Sequence, residues 1–357
     1  MAPHPLRARS RTRHHSAVRS PIGVVAAGAA NGRTHARRSD GYRRWEPEFS
    51  QAGKVPGTPK TSPPRRLVLA AALVVVALAG ACTGAGTDNP SVQSPGPSAV
   101  GPVGVPRPAH VVVVVMENRN ASAIVGSAHA PYINALARQG ALFTNSHAVS
   151  HPSQPNYLAL FSGSTQGTAS DACPQSFAGP NLGRELINAG DSFVGYAEGL
   201  PSAGFAGCHS GSYARKHAPW IDFTNVPASD SRPYRQFRIG AALPTVSFVI
   251  PNICHDMHNC PIATGDRWLS EHIGPYVRWA HHHRSLLILT WDEAHGSATN
   301  HIVTIFAGPM VKPAQYARRI THYTVLCTIE DMFGLPHAGR SQQATPITGV
   351  WQGSRSG

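Results

Sequence analysis

Five stretches of the chain, Val111 to Val115, Ser192 to Tyr196, Thr245 to Ile250, Leu286 to Thr290 and Ile302 to Phe306, are apolar or β-branched at successive positions instead of alternating with polar ones. A strand that is apolar on both faces has to be covered on both faces, which is the condition of a parallel sheet flanked by helices. Between these runs lie stretches with helical patterning: Pro131 to Gln139, Pro155 to Phe161, Leu182 to Asn188, Trp268 to His281 and Thr324 to Phe333. Strands alternating with helices predict an α/β fold, a three-layer α/β/α sandwich with a mostly parallel central sheet.

In such folds ligands bind beyond the carboxyl ends of the strands. Glu117 and Asn118 follow one predicted strand, Asn252 to His258 a second, and Asp292 and Glu293 a third. Acidic pairs from two strands crowded at one sheet edge repel each other unless a cation joins them, so Glu117, Asn118, Asp292 and Glu293 are candidate ligands of a divalent metal cation. Each pair read by itself is equally well a helix cap or a solvated loop.

Ser153, in Ser150-His151-Pro152-Ser153-Gln154-Pro155-Asn156-Tyr157, stands immediately before a predicted helix. Serine is a favoured N-cap and proline suits the first helical turn, so a cap accounts for the residue types. The same position lies in the positive field of a helix N-terminus, where backbone N–H groups hold phosphate oxygens and a cation would acidify the hydroxyl into a nucleophile. Asn156, one turn further on, is a candidate donor to a phosphate oxygen.

Charge changes the picture only after it is divided along the chain. The formal balance of +13 comes mostly from residues 1–81, with 14 Lys+Arg against 3 Asp+Glu; residues 82–357 carry 17 against 15. Nucleic-acid binding therefore has no support from the remainder. Residues 1–66 read as a basic leader unable to form a core, or as the product of a start codon placed too far upstream. Residues 67–82 read as the apolar region and processing site of a signal peptide, too short for a comfortable membrane span. The run ends Ala79-Gly80-Ala81-Cys82, which fits either lipidation at Cys82, giving a membrane anchor, or an A-x-A cleavage site. Residues 83–108, rich in Gly, Pro, Ser and Thr, read as a linker, and 109–352 as the catalytic domain. The expected location is extracytoplasmic, lipid-anchored or secreted.

Export makes disulfides plausible among the five later cysteines. The expected pairs are Cys254 with Cys260 and Cys173 with Cys208, leaving Cys327 a buried thiol. Without a C-x-x-C pair, a cysteine zinc site has little support. Histidine is abundant, and the run His281-His282-His283 reads as a solvated helix end favoured by the dipole. His147 and His151 flank Ser153 and read equally as helpers or as turn and packing residues; His209 and His217 have no assigned role.

Four motifs occur in order: Met116-Glu117-Asn118-Arg119 after the valine run, the Ser-His-Pro-Ser-Gln-Pro-Asn-Tyr segment, Asp256-Met257-His258, and Thr290-Trp291-Asp292-Glu293 followed by Asn300-His301-Ile302-Val303-Thr304. Together, across His110 to Leu335, they resemble the phosphoesterase family of bacterial acid phosphatases and phospholipases C, a branch of the alkaline phosphatase superfamily. The resemblance implies that Ser153 is transiently phosphorylated and contributes to the metal site, that Glu117, Asn118, Asp292 and Glu293 bind the metal, and that His258 and His301 fall on motifs whose histidines bind phosphate or metal. One or two ions fit this pattern.

The implied reaction is two-step hydrolysis of a small phosphate ester through phosphoserine. With a single metal a histidine must supply the leaving group's proton, and His258 is the candidate. Phospholipases C of this family usually carry a Gly-Gly-Phe-Tyr-Asp-His segment after the acidic pair; here Ala294 to His301 takes its place. That difference favours an acid-phosphatase-type monoesterase over a phosphodiesterase. A surface binding lipoprotein without activity is the remaining alternative.

Overall fold

The computed structural model describes residues 104–352. The leader, the apolar run, Cys82 and the linker as far as residue 103 lie outside the described residues.

Eight strands form the main sheet: β1 (Val111–Met116), β2 (Ala141–Phe143), β3 (Phe193–Ala197), β4 (Ser231–Pro233), β5 (Val246–Ile250), β6 (Leu286–Trp291), β7 (Thr304–Ala307) and β8 (Ala314–Tyr316). Their spatial order is β8-β2-β7-β6-β1-β5-β3-β4, and β7 alone runs antiparallel to its neighbours. The valine run is central because every residue in it is apolar. β1 pairs in parallel with β5 through Val111↔Val246 and with β6 through Val111↔Leu286 to Met116↔Trp291. Its odd and even residues supply two different cores. Val111, Val113 and Val115 pack with the helices α2 (Ser153–Ser162) and α6 (His322–Phe333), whereas Val112, Val114 and Met116 pack against α1 (Pro131–Gln139) and the segment 262–280. This is the α/β/α sandwich expected of the pattern. Each of these buried valines contributes roughly 1.5–3 kcal/mol.

Helix Leu182–Asn188 (α3) is as expected from the sequence, and its N-cap Asn181 accepts from the Arg184 N–H. The expected helix from Trp268 to His281 is instead the middle and end of a longer segment. It comprises Ile262–Trp268 (α4), a π-helical turn Leu269–Ile273 and Gly274–Ala280 (α5), with Pro275 in its interior removing a backbone donor. The run Ile302 to Phe306 is divided: His301–Ile302 pairs with Ser146–His147 in a small separate sheet, and only Thr304 onward joins the main one, antiparallel. That small sheet fixes the loop before α2, since Ala148 N–H donates to Asn300 O.

Gly195 in β3 faces Trp220 so closely that a Cβ would lie 2.1 Å from the indole. Gly195→Ala is expected to destabilise the protein by about 3 kcal/mol, the cost of overpacking a closed core. Urea denaturation checks this, and an unchanged midpoint would contradict it.

Candidate active site

The ends of β1, β5 and β6 bring three loops to one edge. Glu117 follows β1 and is fully buried; its N–H donates to Asp256 O at 2.8 Å, tying the β1 and β5 loops together. Asn118 turns the chain with φ of +46°, a conformation asparagine tolerates, and its N–H donates to Asp292 Oδ1 at 3.0 Å. Asp292 N–H in turn donates to Met116 O. The β1 and β6 loops are therefore locked to each other by backbone geometry as well as by register.

Ser153 is the first residue of α2, with Pro152 at the N-cap and no side-chain cap. The hydroxyl is not spent on capping the helix. It lies 3.1 Å from Glu117 Oε2 and 3.3 Å from Glu293 Oε1, so its single proton has two carboxylate acceptors. All ten residues of α2 are buried, which holds this hydroxyl on a rigid element.

Two residues that sequence reasoning passed over complete the cluster. His217 ends the short turn Arg215–His217 and is buried, with its Nε2 3.1 Å from Glu117 Oε1 and its Nδ1 3.4 Å from Asp256 Oδ2. Both contacts are short, yet neither His217 Nε2 nor Asp256 Oδ2 has hydrogen-bond geometry with any partner. Burial, then the nearby Lys216 charge, holds the His217 imidazole well below its usual range. Tyr157 stacks on His217 with ring centroids 5.1 Å apart, and its hydroxyl donates to Glu117 Oε1.

The electrostatics record the crowding. Burial foremost, and then the charges of Asp292 and Asp256, push Glu117 well above the usual carboxylate range. Burial, partly opposed by the His258 N–H bond, raises Asp256 as well. Burial followed by the Glu293 charge brings Asp292 to about 7. Among the described residues, Asn118 Oδ1, Asp256 Oδ2, Asp292 Oδ2 and His217 Nε2 are buried polar atoms with no hydrogen-bond partner. Ligand atoms of Glu117, His217 and Asp256 lie within 4.8 Å of one another. Hard oxygen donors with one imidazole, short of positive charge, fit a divalent cation.

The remaining expected residues divide. Glu293 joins the cluster and also contacts the Nδ1 of His151, whose Nε2 lies 3.1 Å from Ser297 O; Ser153, Glu293 and His151 thus form a chain. His258 is half-buried with its ring 6.1 Å from that of His217, and its Nδ1 is 2.6 Å from Asn259 Oδ1. Asn156 and His301 do not take the expected positions. The Asn156 amide is fully used by the preceding loop, accepting from Val149 and Ser150 N–H and donating to Ser150 and Pro152 O, because that irregular loop needs partners for its backbone. His301 stacks on His147 and its Nε2 meets Thr144 O, contacts set by the pairing of the small sheet. Neighbouring Asn300 instead braces the site, with Nδ2 donating to Ser150 O and Oδ1 accepting from Ala294 N–H.

The structure pairs Cys173 with Cys208 and Cys254 with Cys260, and Cys327 is free and buried. The second bridge encloses Asp256 and His258; the first joins the loop after α2 to the segment leading to His217. Among the described residues no helix is long and apolar enough to cross a membrane.

The profile described as Phosphoesterase family matches residues 126–336. A protein of Mycobacterium tuberculosis named Phosphatidylinositol-3-phosphatase is 50% identical over 251 residues, covering 69% of this chain and 84% of that one. An acid phosphatase of Aspergillus fumigatus is 32% identical over 228 residues, covering 57% of this chain and 51% of its own length. Among solved structures, an alkaline phosphatase superfamily protein from Vibrio parahaemolyticus is similar at a TM-score of 0.49 and 13% identity, over 72% of this chain and 76% of that one. With the profile spanning well over half the chain and a relative at 50% identity, this chain is a member of the Phosphoesterase family and a hydrolase of phosphoric ester bonds.

Proposed function

We propose that the protein is an exported, cation-dependent phosphomonoesterase of the acid phosphatase type, acting through phosphoserine at Ser153. The observation that carries this reading is the Ser153 hydroxyl, at a helix N-terminus and within hydrogen-bond reach of Glu117 and Glu293. Buried oxygens without partners surround it. Glu117, Asn118, Asp292 and Glu293 would hold a divalent cation, with Asp256 and His217 beside them. When bound, the cation supplies positive charge that acidifies the hydroxyl and offsets the charge of the phosphoryl group.

The chain's own groups do the rest. Ser153 attacks phosphorus in line with the leaving oxygen, its proton passing to the Glu117 or Glu293 carboxylate. The positive end of α2 favours the phosphoryl charge that develops next to it. His151, hydrogen-bonded to Glu293, orients that carboxylate. His258 is the candidate acid for the leaving oxygen. Water then cleaves the phosphoserine. Asn156 and His301, engaged elsewhere, stand outside the phosphate-binding set.

A monoester substrate is supported by the names of the relatives, an acid phosphatase and a phosphatidylinositol-3-phosphatase, the latter placing a phosphorylated inositol lipid among the candidate substrates. Because the chain spans about half the length of the fungal relatives, their substrates carry less weight than that of the Mycobacterium protein. Two disulfides fit an oxidising compartment and hence export, with or without an anchor at Cys82.

Hydrolysis of p-nitrophenyl phosphate and of bis-p-nitrophenyl phosphate by the full chain, before and after chelation, tests this reading. Monoester turnover lost on chelation and restored by a divalent cation is expected. Preference for the diester would move the assignment to a phosphodiesterase, and turnover indifferent to chelator would remove the cation.

A further inference from the structure

The Asp171 carboxylate, in the irregular loop after α2, spans two groups beside the reacting centre. Its Oδ1 accepts from the Gln154 N–H at 2.9 Å, and its Oδ2 accepts from Lys216 Nζ at 2.7 Å. Gln154 is the residue after Ser153, and its N–H belongs to the first turn of α2, where the helix itself offers no acceptor. Lys216 precedes His217. Burial would lower the Lys216 ammonium, but the Asp171 bond and the charges of Glu117 and Asp292 outweigh it and hold the group above its usual range. The same ammonium counts among the charges that lower Glu117 and Asp256. It therefore stands in the field of the carboxylate cluster.

A carboxylate that bridges an N–H and an ammonium presents two oxygens to the pair of donors that two non-bridging oxygens of a phosphoryl group at Ser153 would need. The two side chains differ in what they can do without each other. The Asp171 side chain is 31% exposed and can turn to water, whereas that of Lys216 is 17% exposed and requires an anion.

We propose that Lys216, together with the Gln154 N–H, binds the substrate phosphate, and that Asp171 occupies both donors in the resting site and gives them up when phosphate enters. The inference rests on the phosphomonoesterase reading and adds a source of its specificity. A monoester carries up to two negative charges on three free oxygens, enough to displace a singly charged carboxylate from both donors. A diester carries one charge and two free oxygens, and competes on equal terms at best. Monoester preference would then follow from an exchange at this pair.

The test uses Asp171→Asn and Lys216→Met in the full chain, with inorganic phosphate binding read by titration calorimetry and KM measured for the monoester and the diester. Asp171→Asn is expected to tighten phosphate binding about tenfold and to narrow the monoester-to-diester ratio; Lys216→Met is expected to weaken phosphate by about tenfold or more, with a smaller effect on the diester KM. Should Lys216→Met not fold, Asp171→Asn decides alone. Phosphate binding unchanged in Lys216→Met, or weakened in Asp171→Asn, overturns the proposal, the second outcome making Asp171 only a brace for the loop. Calorimetry needs no turnover, so the expected phosphate affinities in a protein that hydrolyses neither ester would sink the catalytic reading, and the specificity drawn from it, while the exchange of phosphate for Asp171 at this pair would be upheld.

Discussion

Ser153→Ala is expected to lower kcat for a monoester by at least about 10⁴, the scale on which loss of a covalent nucleophile is felt when the rest of the site remains. The fold should survive, since α2 is anchored by the other nine of its buried residues and the serine side chain contributes no cap. Acid quenching during turnover should trap phosphate on the native protein and none on the variant. A variant that keeps more than about a tenth of native kcat would mean that water attacks phosphorus directly, without the serine.

The second large effect is the response of stability to cation and pH. Asp292 titrates near 7 in the folded protein against an ordinary 3.8. Between those values the folded state binds the proton that the unfolded state has released, so without a cation this group stabilises the fold most at low pH and loses that contribution as pH rises through the window. His217 acts in the opposite sense: with its pKa depressed by burial, it adds stability as pH rises towards 6.5. Glu330, raised to about 7, and Asp222, raised to about 6, both chiefly by burial, share the sign of Asp292 but lie outside the cluster. The clean quantity is accordingly the difference between cation-loaded and chelated protein. A cation replaces the protons held by Asp292, Glu117 and Asp256, so the rise in Tm it produces should be small near pH 4 and grow steadily to pH 7. Melting curves across that range check it. A cation increment that is flat or shrinks with pH would contradict binding at these carboxylates, and one that persists in Glu117→Gln would place the cation elsewhere.

The parts of this architecture visible in the sequence are those with local causes. Val111 to Val115 could only be a central strand, because nothing in it can face water. The carboxylates at Glu117 and Asp292 were legible because register puts the ends of parallel neighbours at one edge. β2 and β8, three residues each, carry too little pattern to be read and exist through their pairing with each other and with β7. His217 was missed for a related reason. It lies in a short turn within irregular chain, and contacts from Tyr157, Glu117 and Asp256, all distant in sequence, bring it to the site. Asp256 has a signal in the sequence, since it opens the Asp-Met-His motif. The partners of Asn156 are not legible in the sequence, because the hydrogen-bonding demand of a loop backbone leaves no periodic trace.

Both disulfides lie in the rim of loops about the carboxyl ends of the strands, and neither crosses the sheet. One encloses Asp256 and His258, and the other fastens the loop of Asp171 to the approach of Lys216 and His217. Among the described residues, the two cores beneath them contain no bridge. With both bridges reduced, the sheet and its helices would keep their own hydrogen bonds and apolar contacts, while the loops that carry Asp256 and His258 and the approach to Lys216 and His217 would lose their fastenings.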